Sequence, residues 1–181
     1  MDKISPLIEY GHLDFGENKV QEALEKWSDV KTNNKNLKLH LIGKLQTNKV
    51  KYAVKIFDFI HSVDSEKLAK KISEEQQKQK KKVKIFIQVN IGDEQQKTGV
   101  SKSSVTHLYS YCKTLDLDVV GLMCIPPLEK SSDTFFKEMN ILNTNLNFNE
   151  LSMGMSSDYL DAIKNSATYV RIGSNIFGPR S

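Results

Sequence analysis

The chain has 181 residues, of which 39% are hydrophobic and 27% are charged, a balance typical of one globular domain with a sizeable core. No apolar run reaches the length of a membrane span, and the first residues lack the basic-then-apolar pattern of a secretory signal. The two cysteines, Cys112 and Cys124, have no CxxC spacing, which argues against structural zinc. We therefore expect a single cytoplasmic domain over residues 1–181, with no metal and no membrane association.

The net charge of +4 is mild, and the basic excess is concentrated in the lysine-rich run 78–84. No aromatic residue interleaves with these lysines, so we interpret the run as a solvated helix end and expect no nucleic-acid partner. The chain has only two arginines, Arg171 and Arg180, and an arginine inside an apolar strand of such a lysine-rich chain needs a specific reason.

Short apolar runs alternate with amphipathic stretches along the whole chain, which predicts strands alternating with helices. The predicted strands are 12–16, 37–43, 57–63, 83–91, 117–125, 151–155 and 168–176. The predicted helices are 3–11, 18–27, 47–56, 64–79, 101–115, 132–146 and 158–164. The polar stretches 28–36 and 92–99 are predicted to be loops.

Several predicted strands are nearly continuous apolar runs, a pattern typical of parallel strands covered on both faces. The fold class is therefore α/β, and both an open doubly wound sheet and a closed barrel agree with this pattern. A TIM-type (β/α)8 barrel needs eight strands and about 200 residues or more. The sequence supplies seven strands after an initial helix, so we expect a barrel that lacks its first strand because the chain is cut at its N-terminus.

In such a barrel the functional face lies at the carboxyl ends of the strands. Two of these ends carry the strongest signal, since Ser156-Ser157-Asp158 stands where a strand gives way to a helix, and Gly173-Ser174 follows the last strand. Backbone N–H groups and hydroxyls at such places favour an anion, and the loops after the final two strands are the usual phosphate site of a barrel. The alternatives are that Ser156 or Ser157 caps its helix and that Gly173 forms a bulge.

Arg171 lies two residues before Gly173 and should share its face of the strand. A guanidinium stays protonated, so it can donate to a ring nitrogen and keep that nitrogen unprotonated. The alternative is a structural ion pair with a neighbouring carboxylate.

Seven sequence blocks, in order and nearly end to end, resemble one known family. They are FGENKVQE (15–22), HLIGKLQTNK (40–49), QVNIGDE (88–94), KTG (97–99), GLMCIP (121–126), LSMGMS (151–156) and VRIGSNIFG (170–178). The chain resembles the YggS/PROSC family of pyridoxal phosphate-binding proteins, whose barrel is similar to the N-terminal domain of alanine racemase. The resemblance implies pyridoxal 5'-phosphate (PLP) as the cofactor of this domain.

The resemblance also implies a role for each matching residue in holding the phosphate. Ser156, Gly173 and Ser174 would bind it, supported by the backbone at Met155 and Ile172. The family usually carries threonine where this chain has Ser174, and the hydroxyl is kept.

Three further residues take roles from the resemblance. Arg171 would face the pyridine nitrogen, and Asn18 would lie beside the cofactor ring. Lys97 matches a lysine near the mouth of the site and is a candidate for moving the cofactor. No catalytic residue is expected.

The largest departure from the family concerns the lysine that forms its Schiff base. In the family this lysine ends the first strand, one loop and helix before the FGEN block. No lysine here matches it, because Lys3 already falls inside the following helix. We expect either an internal methionine taken as the start or a natural fragment, and in both cases weak, non-covalent cofactor binding.

The implied function is PLP homeostasis or carriage without turnover, with PLP-requiring apoenzymes as further partners and a monomeric full-length form. One alternative is a PLP-dependent amino-acid racemase-like enzyme, which would need a second domain and a catalytic base. Another is a barrel enzyme or phosphate-metabolite binder without PLP, for which His61 and Asp64 are candidate bases. A plain interaction module is the fourth.

Overall fold

The computed structural model describes residues 1–127 and 131–178 of the chain. Seven parallel strands lie side by side in chain order and curve into a nearly closed barrel, as the sequence predicts. They are β1 (Asp14–Glu17), β2 (Lys38–Leu41), β3 (Phe59–Val63), β4 (Lys84–Val89), β5 (Asp118–Cys124), β6 (Glu150–Met155) and β7 (Tyr169–Arg171). The described residues contain no ladder between β7 and β1, so these two strands border an open seam.

Helices connect the strands and cover the outside of the sheet. They are α1 (Ser5–Glu9), α2 (Val20–Asn33), α3 (Val50–Ile56), α4 (Glu66–Gln79), α5 (Val105–Thr114), α6 (Ser132–Asn145), α7 (Tyr159–Lys164) and α8 (Ser174–Phe177), with 3-10 turns at 47–49 and 102–104. Every neighbouring pair of strands is parallel, because each helix returns the chain to the same end of the sheet.

Local chemistry explains where α4 begins and ends. The Ser65 hydroxyl accepts a hydrogen bond from the Leu68 N–H, so Ser65 is the N-cap of this helix. Lys80 ends the helix in the left-handed conformation, with φ at +50°. Lys81 then turns back and donates to two carbonyl groups at the carboxyl end of α3. The lysine-rich run 78–84 therefore lies at a helix end, as expected from its composition.

Two predicted boundaries were wrong. Residues 28–36 were expected to be a loop, but α2 continues to Asn33, where hydroxyls of Ser28 and Thr32 bond back to carbonyls one turn earlier. Residues 168–176 were expected to be one strand, but β7 ends at Arg171 and Gly173 is the N-cap of α8. The apolar run after Gly173 is too short for its periodicity to distinguish a helix from a strand.

The two faces of the barrel sheet have different side chains. The outer face is aliphatic and joins the helices in one large core. Trp27 of α2 is buried there, with its ring 4.9 Å from that of Phe15 and its indole N–H donating to the Glu17 carboxylate at 2.7 Å. The inner face holds a second, smaller cluster around Phe59, Phe86 and Met123. The buried rings of His40 and His61 stack on Phe59 and Phe86 of this second cluster.

Two kinds of feature are absent from residues 1–127 and 131–178. None of the helices there combines the length and apolarity needed to cross a bilayer. Within the same ranges, no three histidine, cysteine or acidic side chains gather in a way that could hold a metal ion.

Candidate functional site

The loops that follow β6 and β7 are joined by side-chain hydrogen bonds at the carboxyl end of the barrel. The Ser156 hydroxyl accepts from the backbone N–H of Gly173 at 3.2 Å, and the Asn175 amide donates to the Ser156 carbonyl at 3.1 Å. Ser156 therefore does not cap α7. Asp158 is the N-cap residue, but its carboxylate accepts from the Met155 N–H before the helix, at 2.6 Å, and not from an N–H of α7.

Gly173 borders open space. A Cβ atom built on this glycine would meet no atom within 4 Å, although the residue is half-buried. Gly173 is the N-cap of α8 and not a bulge, and the Ser174 side chain beside it is exposed. Ser156, Gly173 and Ser174, which the sequence singled out, are thus brought together, with half-buried Met155 and Ile172 as their chain neighbours.

Arg171 points inward from β7 and forms hydrogen bonds to the neighbouring strand β6 and to β5 beyond it. One guanidinium nitrogen donates to the Ser152 hydroxyl of β6 at 2.8 Å, and the other donates to the Cys124 carbonyl of β5 at 2.8 Å. No ion pair of Arg171 exists among the described residues, so the structural alternative of a carboxylate partner is not supported. Burial lowers the pKa of Arg171, but a guanidinium remains protonated at neutral pH.

A hydrogen-bonded chain of inward-facing side chains continues from Arg171 and was not foreseen from the sequence. The Ser152 hydroxyl lies 2.8 Å from Nδ1 of His61, and Nε2 of His61 lies 3.0 Å from Nδ1 of His40. Nε2 of His40 lies 3.0 Å from the Asp14 carboxylate on β1. We call Asp14, His40, His61, Ser152 and Arg171 the interior chain.

The environment of the two histidines keeps them neutral. His61 is 1% exposed and its ring stacks on Phe86, with centroids 4.2 Å apart, while His40 stacks on Phe59 at 4.3 Å. Burial is the main cause that holds the pKa of His61 well below its usual value, and the positive charge of Arg171 acts in the same direction. Burial also lowers the pKa of His40, against the opposing effect of Asp14. A neutral, enclosed His61 is a structural link rather than the accessible base considered from the sequence.

Asn18 and Lys97 lie at the same end of the barrel but apart from the Ser156–Gly173 pair. Asn18 is exposed after β1, and its carbonyl oxygen would be 2.1 Å from a Cβ on Gly43, so the loops after β1 and β2 are in close contact. Lys97 follows β4, where its ammonium pairs with Glu94 at 2.5 Å and donates to the Pro126 carbonyl at 3.3 Å. The described residues show no hydrogen bond from either side chain to the phosphate candidates.

Sequence and structure comparisons agree with this architecture. The model of the alanine racemase N-terminal domain family matches residues 1–181. A pyridoxal phosphate homeostasis protein of Aquifex aeolicus is 40% identical over 176 residues, covering 92% of this chain and 76% of the relative. PipY of Synechococcus elongatus, solved without PLP, superposes with a TM-score of 0.90 at 34% identity, covering 98% of this chain and 87% of PipY. PipY with PLP bound gives a TM-score of 0.88 at 32% identity, over the same shares of the two chains. The chain therefore belongs to the alanine racemase N-terminal domain family and, within it, to the group of pyridoxal phosphate homeostasis proteins.

Proposed function

We propose that this chain binds pyridoxal 5'-phosphate between the loops after β6 and β7 and helps to maintain the supply of this cofactor. The observation that carries the proposal is the Ser156–Gly173 hydrogen bond beside the open space above Gly173. The PLP-bound form of PipY and the names of the relatives support the same ligand.

The residues at this place fit a phosphate group. Ser156 uses its oxygen as an acceptor for Gly173 and keeps its own proton for a ligand. The N–H groups of Ser174 and Asn175 form no backbone hydrogen bond within the described residues. These three groups are donors on Ser156 and on the two residues that follow Gly173, and a phosphate bound beside Gly173 would accept from them.

Arg171 fits the opposite end of the cofactor. Two of its five N–H groups are engaged by Ser152 and Cys124, and the remaining ones are available for a ring nitrogen. PLP supplies a reactive aldehyde and an electron-withdrawing ring when it is bound. An arginine only donates, so it would hold the ring nitrogen unprotonated and weaken the ring as an electron sink, which supports carriage rather than turnover.

Carriage needs a route out of the site, and we propose PLP-requiring apoenzymes in the cytoplasm as recipients. Lys97 is the candidate for assisting this exit, since it stands on the loop after β4, at the same end of the barrel. Its ammonium is held by Glu94 and by the Pro126 carbonyl, both breakable contacts at the half-exposed surface. Asn18, on the loop after β1, would lie beside the ring.

Titration with PLP tests the proposal. We expect a change in the absorbance of the cofactor and a rise in Tm, neither of which pyridoxal without phosphate should produce at the same concentration. Ser156→Ala should weaken PLP binding by about tenfold, since it removes one hydrogen bond to a charged group. Ser157→Ala, at the exposed neighbouring position, is the matched control and should bind normally. Equal stabilisation by glucose 6-phosphate and PLP would contradict the proposal and indicate a general phosphate-ester binder.

We further propose that the cofactor is held without a covalent bond. Two lysines at this end of the barrel have ammonium groups that are already engaged: Lys97 by Glu94 and the Pro126 carbonyl, and Lys3 by the Phe177 carbonyl at 2.6 Å. Borohydride treatment of the PLP complex, followed by intact mass measurement, should leave the protein mass unchanged. A stoichiometric adduct would contradict non-covalent binding, and peptide mapping would then identify the lysine.

A further inference from the structure

The interior chain crosses the barrel from one strand edge of the sheet to the other. It begins at Asp14 on β1, passes through His40 and His61 on β2 and β3, and ends at Ser152 and Arg171 on β6 and β7. His40, His61 and Ser152 are at most 4% exposed, whereas the Asp14 side chain is 42% exposed. Three buried polar side chains therefore connect a carboxylate at the edge of the barrel to a guanidinium beside the proposed cofactor ring.

The chemistry of Arg171 decides which atom donates at every link. A guanidinium has only donors, so the Ser152 oxygen accepts from it. The Ser152 proton then points to Nδ1 of His61, its other neighbour, which must be unprotonated. A neutral His61 carries its proton on Nε2 and donates to Nδ1 of His40. His40 carries its own proton on Nε2 and donates to Asp14.

The opposite direction leaves groups without partners. If Nδ1 of both rings carried the proton, neutral His40 would turn a lone pair towards the Asp14 carboxylate. Protonation of His40 on Nε2 as well would restore its hydrogen bond to Asp14, but the Ser152 oxygen would still accept from both His61 and Arg171. Its own proton would then have no acceptor among the described residues. An unsatisfied buried donor destabilises a fold by about 1–3 kcal/mol, which favours the direction from Arg171 to Asp14.

We propose that the hydrogen bonds of the interior chain all run in this one direction, from Arg171 to Asp14. Ser152 and His61 are then positioning residues that hold the Arg171 guanidinium towards the ligand. The Asp14 carboxylate is the distant counter-charge of that guanidinium. All links are polarised in the same sense, from the cation to the carboxylate, so each hydrogen bond strengthens the next. The Cys124 carbonyl holds the second guanidinium nitrogen, which leaves Arg171 little freedom to rotate. The role towards the ligand rests on the proposed function, but the direction does not.

Histidine tautomers in the protein alone test the direction. Long-range ¹H–¹⁵N spectra should show His40 and His61 as neutral rings with the proton on Nε2 at pH 7. Replacing exposed His12 and His107 by asparagine leaves only these two rings in the spectrum. A proton on Nδ1 of either ring, or an imidazolium, would overturn the proposal. Asp14→Asn keeps an acceptor oxygen for His40 and should preserve the tautomers of both rings. Asp14→Leu removes that acceptor, so His40 should become a mixture of its two neutral tautomers.

Ligand binding tests the positioning role. Ser152→Ala should weaken PLP binding by about tenfold while changing the affinity for benzyl phosphate, which lacks a ring nitrogen, by less than about twofold. Ser73→Ala is the matched control, because Ser73 is a buried serine that bonds a carbonyl outside the barrel interior. It should affect neither ligand.

The outcomes separate the two proposals. Absence of PLP binding by the unaltered protein would contradict the proposed function, while the tautomers would still decide the direction of the interior chain. Equal weakening of PLP and benzyl phosphate by Ser152→Ala, or no weakening of either, would overturn the positioning role. If Ser152→Ala fails to fold, the tautomers of the unaltered protein and of Asp14→Leu decide the direction.

Discussion

Gly173→Asp should abolish PLP binding without destabilising the protein. The new side chain would enter open space, since no atom outside residue 173 and its two chain neighbours lies within 4 Å of the position that its Cβ would occupy, so Tm should change little. Its carboxylate would stand where the phosphate is proposed to bind. A like charge about 4 Å away is unfavourable by about 4 kcal/mol near a protein surface, so we expect at least about a hundredfold loss of affinity. Equilibrium titration and thermal unfolding of the same preparation measure both quantities.

Gly173→Asn is the control for size, because it has nearly the same shape and no charge. Its affinity for PLP should lie between that of the unaltered protein and that of Gly173→Asp. Raising the salt concentration should reduce the difference in PLP affinity between the two variants, because salt screens the added charge. PLP affinity unchanged in Gly173→Asp would place the phosphate elsewhere and contradict the proposed site.

Trp27→Ala should destabilise the fold more than other single changes in the core between the sheet and the helices. It would leave a large cavity between α2 and β1 and remove the indole N–H from the buried Glu17 carboxylate. Truncations of this kind lower the free energy of unfolding by about 3–5 kcal/mol, a large part of the total for a domain of this size. Urea unfolding followed by circular dichroism measures the loss, since Trp27 is the only tryptophan and its fluorescence disappears with it.

Tyr10→Ala is the matched control, because the Tyr10 side chain is 91% exposed. It should change the free energy of unfolding by no more than about 0.5 kcal/mol. Trp27→Phe keeps most of the packing, so its loss in free energy of unfolding should lie between those of Trp27→Ala and Tyr10→Ala. Equal effects of Trp27→Ala and Tyr10→Ala would contradict the assignment of Trp27 to the core.

The sequence predicted the parallel seven-stranded architecture because its signal is local. In β4, for example, four of the six residues are apolar, and five of the six are buried. The end of β7 could not be predicted in this way. Ile172 and Ile176 continue the apolar pattern of the strand, and only the hydrogen bonds of Ile176 and Phe177 to the Gly173 carbonyl show that the chain has turned into α8.

The candidate site was predictable where its residues stand at strand ends and not where it depends on the closure of the barrel. Ser156, Gly173 and Ser174 stand at strand ends and were found from glycine and hydroxyl chemistry. The contact between His61 and Ser152 joins residues 91 positions apart on strands that are not adjacent in the sheet. No spacing along the chain indicates that they face each other, because their contact depends on how strongly the sheet curves.

The different chemistry of the two sheet faces has a consequence for how this protein can change. On β6, Ser152 faces the interior, whereas Leu151 and Met153 pack under the helices. The same alternation places His61 inside and Ile60 outside on β3. The effect of mutations should therefore alternate along each strand. Changes at positions that face the helices should lower the amount of folded protein, and changes at inward positions should alter ligand binding. A library restricted to inward positions could explore new binding preferences while leaving the helix-facing scaffold intact.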